Sequence, residues 1–512
     1  MNFEDPFTGY SFVLRVIVYV LIPAFTAFQF VRLRRGLQAF QLEGYKRKRF
    51  LEWCRANPGP ARFLRPLGDK KPLVMTGRAW RILLVATVLT AVASVVLPGM
   101  AHLSGGAPYD LITWAVVTVL LFFAAPTLLV AADVLVAPAQ SVINRSFRRR
   151  ALGRLDEVAP VVIGVTGSFG KTSTKFAIAR ALGPPSVALA TPGSYNTPMG
   201  VVRAINEGLS TGHRYLIVEM GAYQQGDIAE LCALVRPTIG VLTAIGPAHL
   251  ERFGSMDAIR QAKYEIVEAL PTEGAAVMNT DDLTVRSLAD STDHVRVVRY
   301  GLDPSGSPDV TARDHRFSPQ GTRATITDAD GGELPIETRL LGEHAIRHIL
   351  AAVAVARLQE MPLTELGPRI AALEPIEHRL QLIAGTGGVT VIDDAYNSNP
   401  AGAAAALEVV ADFDKNDANR IIVVTPGMVE LGKLQAEENE TFGRHAPAVA
   451  DFLIVVGRVN RAAIVAGASR PNTKAELITT DTLEEATKHL KTLLRPGDVV
   501  LFENDLPDTY EV

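Results

Sequence analysis

Cysteine is almost absent: Cys54 and Cys232 are the only two in 512 residues. They offer neither a disulfide framework nor the close spacing of a metal knuckle, so a reducing compartment is expected for the main body. A strong field of one sign is missing as well, since the net charge is only −3. That balance conceals a division. Residues 1–150 carry 19 Lys and Arg against 7 Asp and Glu, and residues 151–512 carry 32 against 47. An acidic larger part is a poor nucleic-acid binder. The last third lacks G-x-G-x-x-G, so no dinucleotide site is expected there.

Apolar runs, by contrast, are plentiful at the front. Phe12–Val31, Ile82–Pro98 and Leu111–Pro138 read as three transmembrane helices; about 20 apolar residues cross a bilayer core. Loop charge sets an orientation. Residues 32–81 hold fourteen Lys and Arg against Glu43, Glu52 and Asp69, whereas loop 99–110 has none. The start "MNFEDPF" is acidic and "NRSFRRR" follows the third run. The expectation is an inner-membrane, multi-pass protein with its N-terminus outside and everything after residue 145 in the cytoplasm. The expected domains are a membrane region over 1–150, a nucleotide-binding domain over 151–374 and a second α/β domain over 375–512.

The stretch "PVVIGVTGSFGKTSTKFAIARAL" (160–182) reads as strand, glycine turn and helix. Gly167 and Gly170 let backbone N–H groups turn inward around an anion, to which the helix N-terminus adds partial positive charge. Lys171 is placed for the terminal phosphates and Thr172 for Mg²⁺. Gly167, Ser168, Gly170, Lys171, Thr172 and Ser173 are therefore the candidate nucleotide contacts. Farther on, Glu219 ends the apolar strand of "YLIVEMG" and His249 follows that of "TIGVLTAIGPAH". Open α/β sheets place ligands at such carboxyl ends. A hydroxyl, a carboxylate and an imidazole suit Mg²⁺ or Mn²⁺.

The loop form T-G-[ST]-x-G-K-T-[ST] resembles that of the Mur ligase family. So does the run E-M-G-x(6)-I…I-G-x-A-H…K-x-E-I, and "EHRLQLIAGTGGVTVIDDAYNSNP" (377–400) resembles the opening of a C-terminal Mur ligase domain. The resemblance implies a central ATP-binding domain followed by a Rossmann-like α/β domain. It implies Glu219 and His249 as metal ligands, with Lys263 as a catalytic lysine that many members carbamylate. It places Asn279 and Asp281 near the nucleotide, and Thr191 and Asn196 toward the acidic substrate. Arg379 would reach the transferred phosphate, Asp393 or Asp394 the ribose, with Tyr396 and Asn397 beside the nucleotide.

The chain departs from the family in several places. Ala244 stands for an asparagine, and Ala345 and His348 for two asparagines tied to adenine; Val165 stands where the general G-x-x-x-x-G-K-[ST] loop, rather than the family's shorter form, has its first glycine. Gly427 stands for an aspartate, and "FENDLPDTY" (502–510) for the terminal K-G-S. No family-type UDP-sugar domain precedes residue 160; the three apolar runs and the basic loop take its place.

The expected chemistry is ATP-dependent amide ligation. A carboxylate becomes an acyl-phosphate, and an amine from an amino acid or dipeptide displaces the phosphate. Like charges repel in the first step, which explains why Lys171, Arg379 and divalent cations would converge. The acceptor is either a small molecule or a lipid-linked carboxylate at the membrane. Two alternatives remain: a ligase that extends a poly-γ-glutamate-type polymer, and an ATPase subunit of a membrane transport complex.

Overall fold

The computed structural model describes residues 7–57, 63, 72–105, 109–318, 320–396, 398–417, 420–469 and 475–506. The chain divides into two compact units, Met1–Arg145 with Pro507–Val512, and Ser146–Leu506.

The first unit is helical: α1 (Phe7–Leu42), α2 (Arg47–Ala56), α3 (Gly77–Gly105), α4 (Tyr109–Phe123) and the start of α5 (Ala125–Val158). Among the described residues two helical stretches are long and apolar enough to cross a membrane, Gly77–Ala101 and Ala125–Val158; Ile112–Phe123 is apolar but shorter. The expected third span is thus two helices, not one. Pro126 explains the break, because it has no N–H to offer the Phe122 carbonyl. Side chains of α1 take over the freed groups. Gln29 Nε2 donates to the Leu121 carbonyl (2.6 Å) and Arg32 Nη1 to that of Phe122 (2.6 Å). The expected first span lies within α1, whose side chains before Val20 fall outside the described residues, as do Arg62, Arg65, Lys70 and Lys71 of the basic loop. A core of Leu33, Leu37, Phe40, Phe50, Ile82, Leu83 and Leu129 holds these helices together.

The second unit carries three sheets. Its first is fully parallel, in the order β2-β3-β1-β4-β5-β6. These strands are β1 (Val161–Thr166), β2 (Ala188–Ala190), β3 (Tyr215–Glu219), β4 (Ile239–Leu242), β5 (Ala275–Asn279) and β6 (Arg296–Tyr300). β1, β3, β4 and β5 are near-continuous apolar runs because helices cover both faces. As the alternating sequence predicts, β7 (Thr311–Ser318), β8 (Gly321–Thr327) and β9 (Glu333–Thr338) form a small antiparallel sheet.

The third sheet has the order β10-β11-β15-β12-β13-β14, from β10 (Gln381–Ala384), β11 (Thr390–Asp394), β12 (Ile421–Thr425), β13 (Phe452–Val456), β14 (Glu476–Thr480) and β15 (Val499–Glu503). Only β10 runs antiparallel. In the sequence, "VTVIDDA", "RIIVVTPG", "DFLIVVG" and "DVVLFEN" alternate with helical stretches, which implies a doubly wound parallel sheet, as found; antiparallel β10 at its edge does not follow from that spacing. The helix Glu343–Leu358 buries an Ala/Val-rich face in the core shared with α6 (Lys171–Leu182), which brings His344 and His348 to the glycine loop.

Candidate active site

The glycine loop leaves β1 and enters α6. Gly167 has φ +152° and Gly170 φ +77°, both in the region that favours glycine. Space enforces the first: a Cβ on Gly167 would lie 2.0 Å from Thr243 Oγ1. The loop is fastened to the segment after β4. Ser168 N donates to the Ala244 carbonyl (2.8 Å), and Ser168 Oγ both donates to Gly246 O and accepts from Gly246 N (2.9 Å each). Ser168 is therefore spent on holding the loop. Lys171 Nζ donates to the carbonyls of Gly167 (2.8 Å) and Ser168 (2.9 Å). Burial lowers its pKa to about 8, with Glu219 opposing the shift and Arg379 adding to it.

Glu219, 1% exposed at the end of β3, gathers the next group. Its carboxylate accepts from Thr172 Oγ1 (2.9 Å), Lys175 Nζ (3.1 Å) and Asn196 Nδ2 (3.2 Å). Its backbone N–H donates to Thr191 Oγ1 (3.2 Å). Thr191 is fully buried and orients Glu219. Lys175 is the residue the sequence reading passed over. It is 0% exposed, its Nζ also donates to Gly193 O (2.5 Å), and burial depresses its pKa. Its position four residues after Lys171 was the available signal, since i and i+4 share a helix face.

His249 does not join Glu219 in a cluster. Its Nδ1 pairs with Glu430, which also pairs with Arg252, so a loop of the third-sheet domain is tied to the segment after β4. Tyr223 supports both partners, edge-on to His249 at 4.8 Å and under the Arg252 guanidinium at 4.4 Å. Burial lowers the His249 pKa, against the pull of Glu430. Lys263 is 3% exposed, and burial, then the Lys171 charge, drives its pKa well below the ordinary value. Among the described residues no group of three or more His, Cys, Asp or Glu is assembled to hold a metal. Thr172 with Glu219 nevertheless offers two adjacent oxygens, and Mg²⁺ takes only one or two protein carboxylates beside phosphates and water.

A cavity of about 390 Å³ adjoins the loop and is lined from both α/β domains, by Gly170, Ser173, Asn279, His348, Arg379 and Asp394 among others. Asn279 is fixed by donating to Thr243 O (2.8 Å) and accepting from Asp281 N (3.2 Å). Asp281 binds Arg347 Nε (2.6 Å). His348 replaces the expected asparagine, with Nδ1 2.9 Å from Thr174 Oγ1; burial and neighbouring cations lower its pKa to about 3. Arg379 stacks on Tyr396, 4.4 Å from the ring centre. Asp393 accepts from His378 Nδ1 (2.7 Å), and Asp394 from Leu380 N (3.1 Å). Burial and the nearby Glu503 raise the Asp394 pKa to about 7. Asn397 lies outside the described residues.

The two C-terminal departures explain each other. A Cβ on Gly427 would meet Asn439 Oδ1 at 2.4 Å, so no aspartate fits without displacing Asn439. Asn504 Nδ2 donates to Gly427 O (2.5 Å), its Oδ1 accepts from Ser398 N (3.0 Å), and buried Glu503 accepts from Ser398 and Thr425 hydroxyls. "FEND" thus braces the start of the helix at Pro400 where K-G-S is expected. A carboxylate ending an apolar strand, the pattern that singled out Glu219, was there to be read in Glu503.

Residues 165–356 match the Mur ligase middle domain, and residues 378–503 match the Mur ligase, glutamate ligase domain. The UDP-N-acetylmuramoyl-tripeptide–D-alanyl-D-alanine ligase of Mycobacterium bovis is 34% identical over 361 residues, which are 66% of this chain and 69% of that protein. That of Mycobacterium leprae is 35% identical over 373 residues, covering 67% and 70%. Among solved structures, MurF from Acinetobacter baumannii superposes with a TM-score of 0.63 at 26% identity, covering 72% of this chain and 78% of that one. The MurF ligase of Thermotoga maritima in complex with ADP gives 0.61 at 27% identity, covering 71% and 80%.

Proposed function

The chain belongs to the Mur ligase family and is an ATP-dependent, ADP-forming amide ligase of peptidoglycan precursor synthesis that uses Mg²⁺; on that premise we propose that it joins a D-alanyl-D-alanine-like dipeptide to a muramoyl-peptide carboxylate presented at the membrane. The relatives named above act, by name, on UDP-N-acetylmuramoyl-tripeptide and D-alanyl-D-alanine.

Residue roles follow from position. Backbone N–H groups of the Gly167–Ser173 loop other than that of Ser168 cradle the nucleotide phosphates, and Lys171 swings from the loop carbonyls to the γ-phosphate. Arg379, lining the same cavity from the other domain, draws negative charge from the transferred group. Asn279, Asp393, Asp394 and Tyr396 flank the nucleoside, and the sequence places Asn397 with them. Thr172 and Glu219 are the oxygen donors that would hold Mg²⁺, with His249 at a second cation and Asn196 and Thr191 orienting Glu219 toward substrate. When bound, the cation screens the phosphate charge that repels an incoming carboxylate. A neutral Lys263 amine is the form that takes up CO₂ as a carbamate. The acceptor carboxylate oxygen attacks the γ-phosphorus and ADP leaves. The amine nitrogen then attacks the acyl carbon, phosphate leaves, and the amine gives up a proton. Little covalent chemistry falls to the protein; positioning and charge neutralisation do most of it.

The observation that supports a membrane-presented acceptor is the apolar helical unit with Gly77–Ala101 and Ala125–Val158. We read it as multi-pass in the inner membrane, N-terminus outside and catalytic domains cytoplasmic, with the basic 32–81 stretch against the anionic leaflet. Each such charge adds about 1 kcal/mol of attraction. The test is product analysis by mass spectrometry. The full-length protein in lipid nanodiscs receives ATP and D-Ala-D-Ala with either UDP-muramoyl-tripeptide or a lipid-linked muramoyl-peptide. Preference for the lipid-linked acceptor supports the proposal; equal turnover of soluble UDP-linked acceptor means that the helices only tether the enzyme.

A further inference from the structure

The helical unit contains charge that catalysis does not use. Asp133, 2% exposed within the apolar part of α5, receives two arginines: Arg47 Nε from α2 at 2.7 Å and Arg78 Nη2 from α3 at 2.8 Å. Arg81, one turn farther along α3, donates Nη2 to Gln140 Oε1 (2.5 Å), and Gln140 donates on to Asn144 (2.7 Å). The Arg78 guanidinium also lies 4.3 Å from the Tyr45 ring centre. Two guanidiniums thus share the one carboxylate, and the third, on Arg81, is held by an amide beside them. Two of the three carry a further signal, because the Nε groups of Arg78 and Arg81 are buried and have no hydrogen-bond partner among the described residues. Buried donors in native proteins are almost always satisfied, so two orphans beside one cluster point to a missing acceptor.

We propose that Arg47, Arg78 and Arg81 form a binding site for the phosphate headgroup of a membrane lipid, a phosphomonoester or pyrophosphate. Guanidinium forks match phosphate oxygens in pairs, which separates this site from a generic basic surface. Charge selects the ester class. The cluster holds a net excess of two positive charges, which a phosphodiester with one negative charge would neutralise only in part. Location selects an amphiphile. Arg78 and Arg81 flank Trp80, which is 54% exposed, at the start of the apolar stretch Gly77–Ala101. Exposed Trp beside Arg at the end of an apolar helix is the pattern of a bilayer interface. A ligand there would set its phosphate among the arginines and its tail along α3 and α5.

The inference rests on the membrane reading of these helices, and its test separates the two. Purified full-length protein is placed in nanodiscs of phosphatidylcholine with 10% phosphatidic acid or with 10% phosphatidylglycerol, about equal loads chosen for these two headgroup classes. Retained lipid is counted by native mass spectrometry after extraction. The expected result is selective retention of phosphatidic acid by the wild type, and at least a five-fold loss in Arg81→Gln and in Arg47→Gln, with partial recovery in Arg81→Lys. Arg47→Gln leaves Asp133 its Arg78 partner, which keeps that variant folded. Free pyrophosphate at millimolar concentration competes only if the headgroup alone is recognised; failure to compete assigns part of the affinity to the tail. Equal retention of the two lipids by the wild type, or unchanged retention in both glutamine variants, overturns the site. Loss of retention together with full ligation of soluble UDP-linked acceptor leaves the site standing and removes the lipid acceptor.

Discussion

Replacing Lys175 with methionine perturbs a pair that has almost no access to water. The side chains of Lys175 and Glu219 are 0% and 2% exposed and meet at 3.1 Å. Removing one member of a buried pair strands the other charge, at a cost of about 3–5 kcal/mol. Glu219 keeps two donors, Thr172 Oγ1 and Asn196 Nδ2, which soften the loss. The Gly193 carbonyl meanwhile loses its 2.5 Å partner. The lower half of the range follows, about 3 kcal/mol, a large share of the 5–15 kcal/mol that holds a typical domain folded. The assay is urea denaturation of the full-length protein in detergent, with Lys175→Met, Glu219→Gln and the double variant compared in a cycle. The double variant should recover about 2 kcal/mol of the Lys175→Met loss, because no bare charge remains. Glu219 also loses a contact that fixes its carboxylate beside Thr172, so Lys175→Met should raise the Mg²⁺ needed for half-maximal ligation several-fold. A loss below about 1 kcal/mol with no coupling to Glu219 would refute the reasoning and reduce Lys175 to packing.

Lys171→Ala should leave the fold intact and lower kcat by about 10²–10³-fold, the usual cost of one preorganised charge donor; near-normal ADP release by the folded variant contradicts the phosphate-loop assignment. Glu430→Gln should weaken the tie between His249, Arg252 and the third-sheet domain, raising KM for the amine more than for ATP, as steady-state kinetics would reveal; unchanged KM values mean that this tie does not shape the amine site. Asp394 has a folded pKa of about 7 against an ordinary 3.8, so its contribution to stability is present at low pH and lost as pH rises through about 7. Asp394→Asn should therefore gain more denaturant resistance relative to wild type at pH 8 than at pH 5, and the reverse ordering contradicts the raised pKa.

Where local chemistry decides structure, the sequence was readable. The glycine loop, the strand-end Glu219 and the alternating run over 311–338 announce their geometry through φ requirements and side-chain period. The largely parallel third sheet followed from strand–helix spacing. What could not be read depends on contacts distant in sequence. His249 meets Glu430 across 181 positions, and nothing near either residue encodes that meeting. The split of the third apolar run was half legible, since Pro126 is visible but the Gln29 and Arg32 side chains that make its break tolerable come from another helix. Lys175 and Glu503 were overlooked because a charged residue reads as surface until the fold buries it beside a partner.

The central claim is that phosphate passes through the acceptor carboxylate before the amide forms, and oxygen tracing tests it most directly. With an acceptor carrying ¹⁸O in its carboxylate, ATP and the dipeptide amine, the account predicts one ¹⁸O in each inorganic phosphate released, and no sustained ATP turnover unless acid and amine are both present. Unlabelled phosphate, or ATP turnover indifferent to the amine, would contradict the ligase mechanism and return the chain to the class of membrane ATPases.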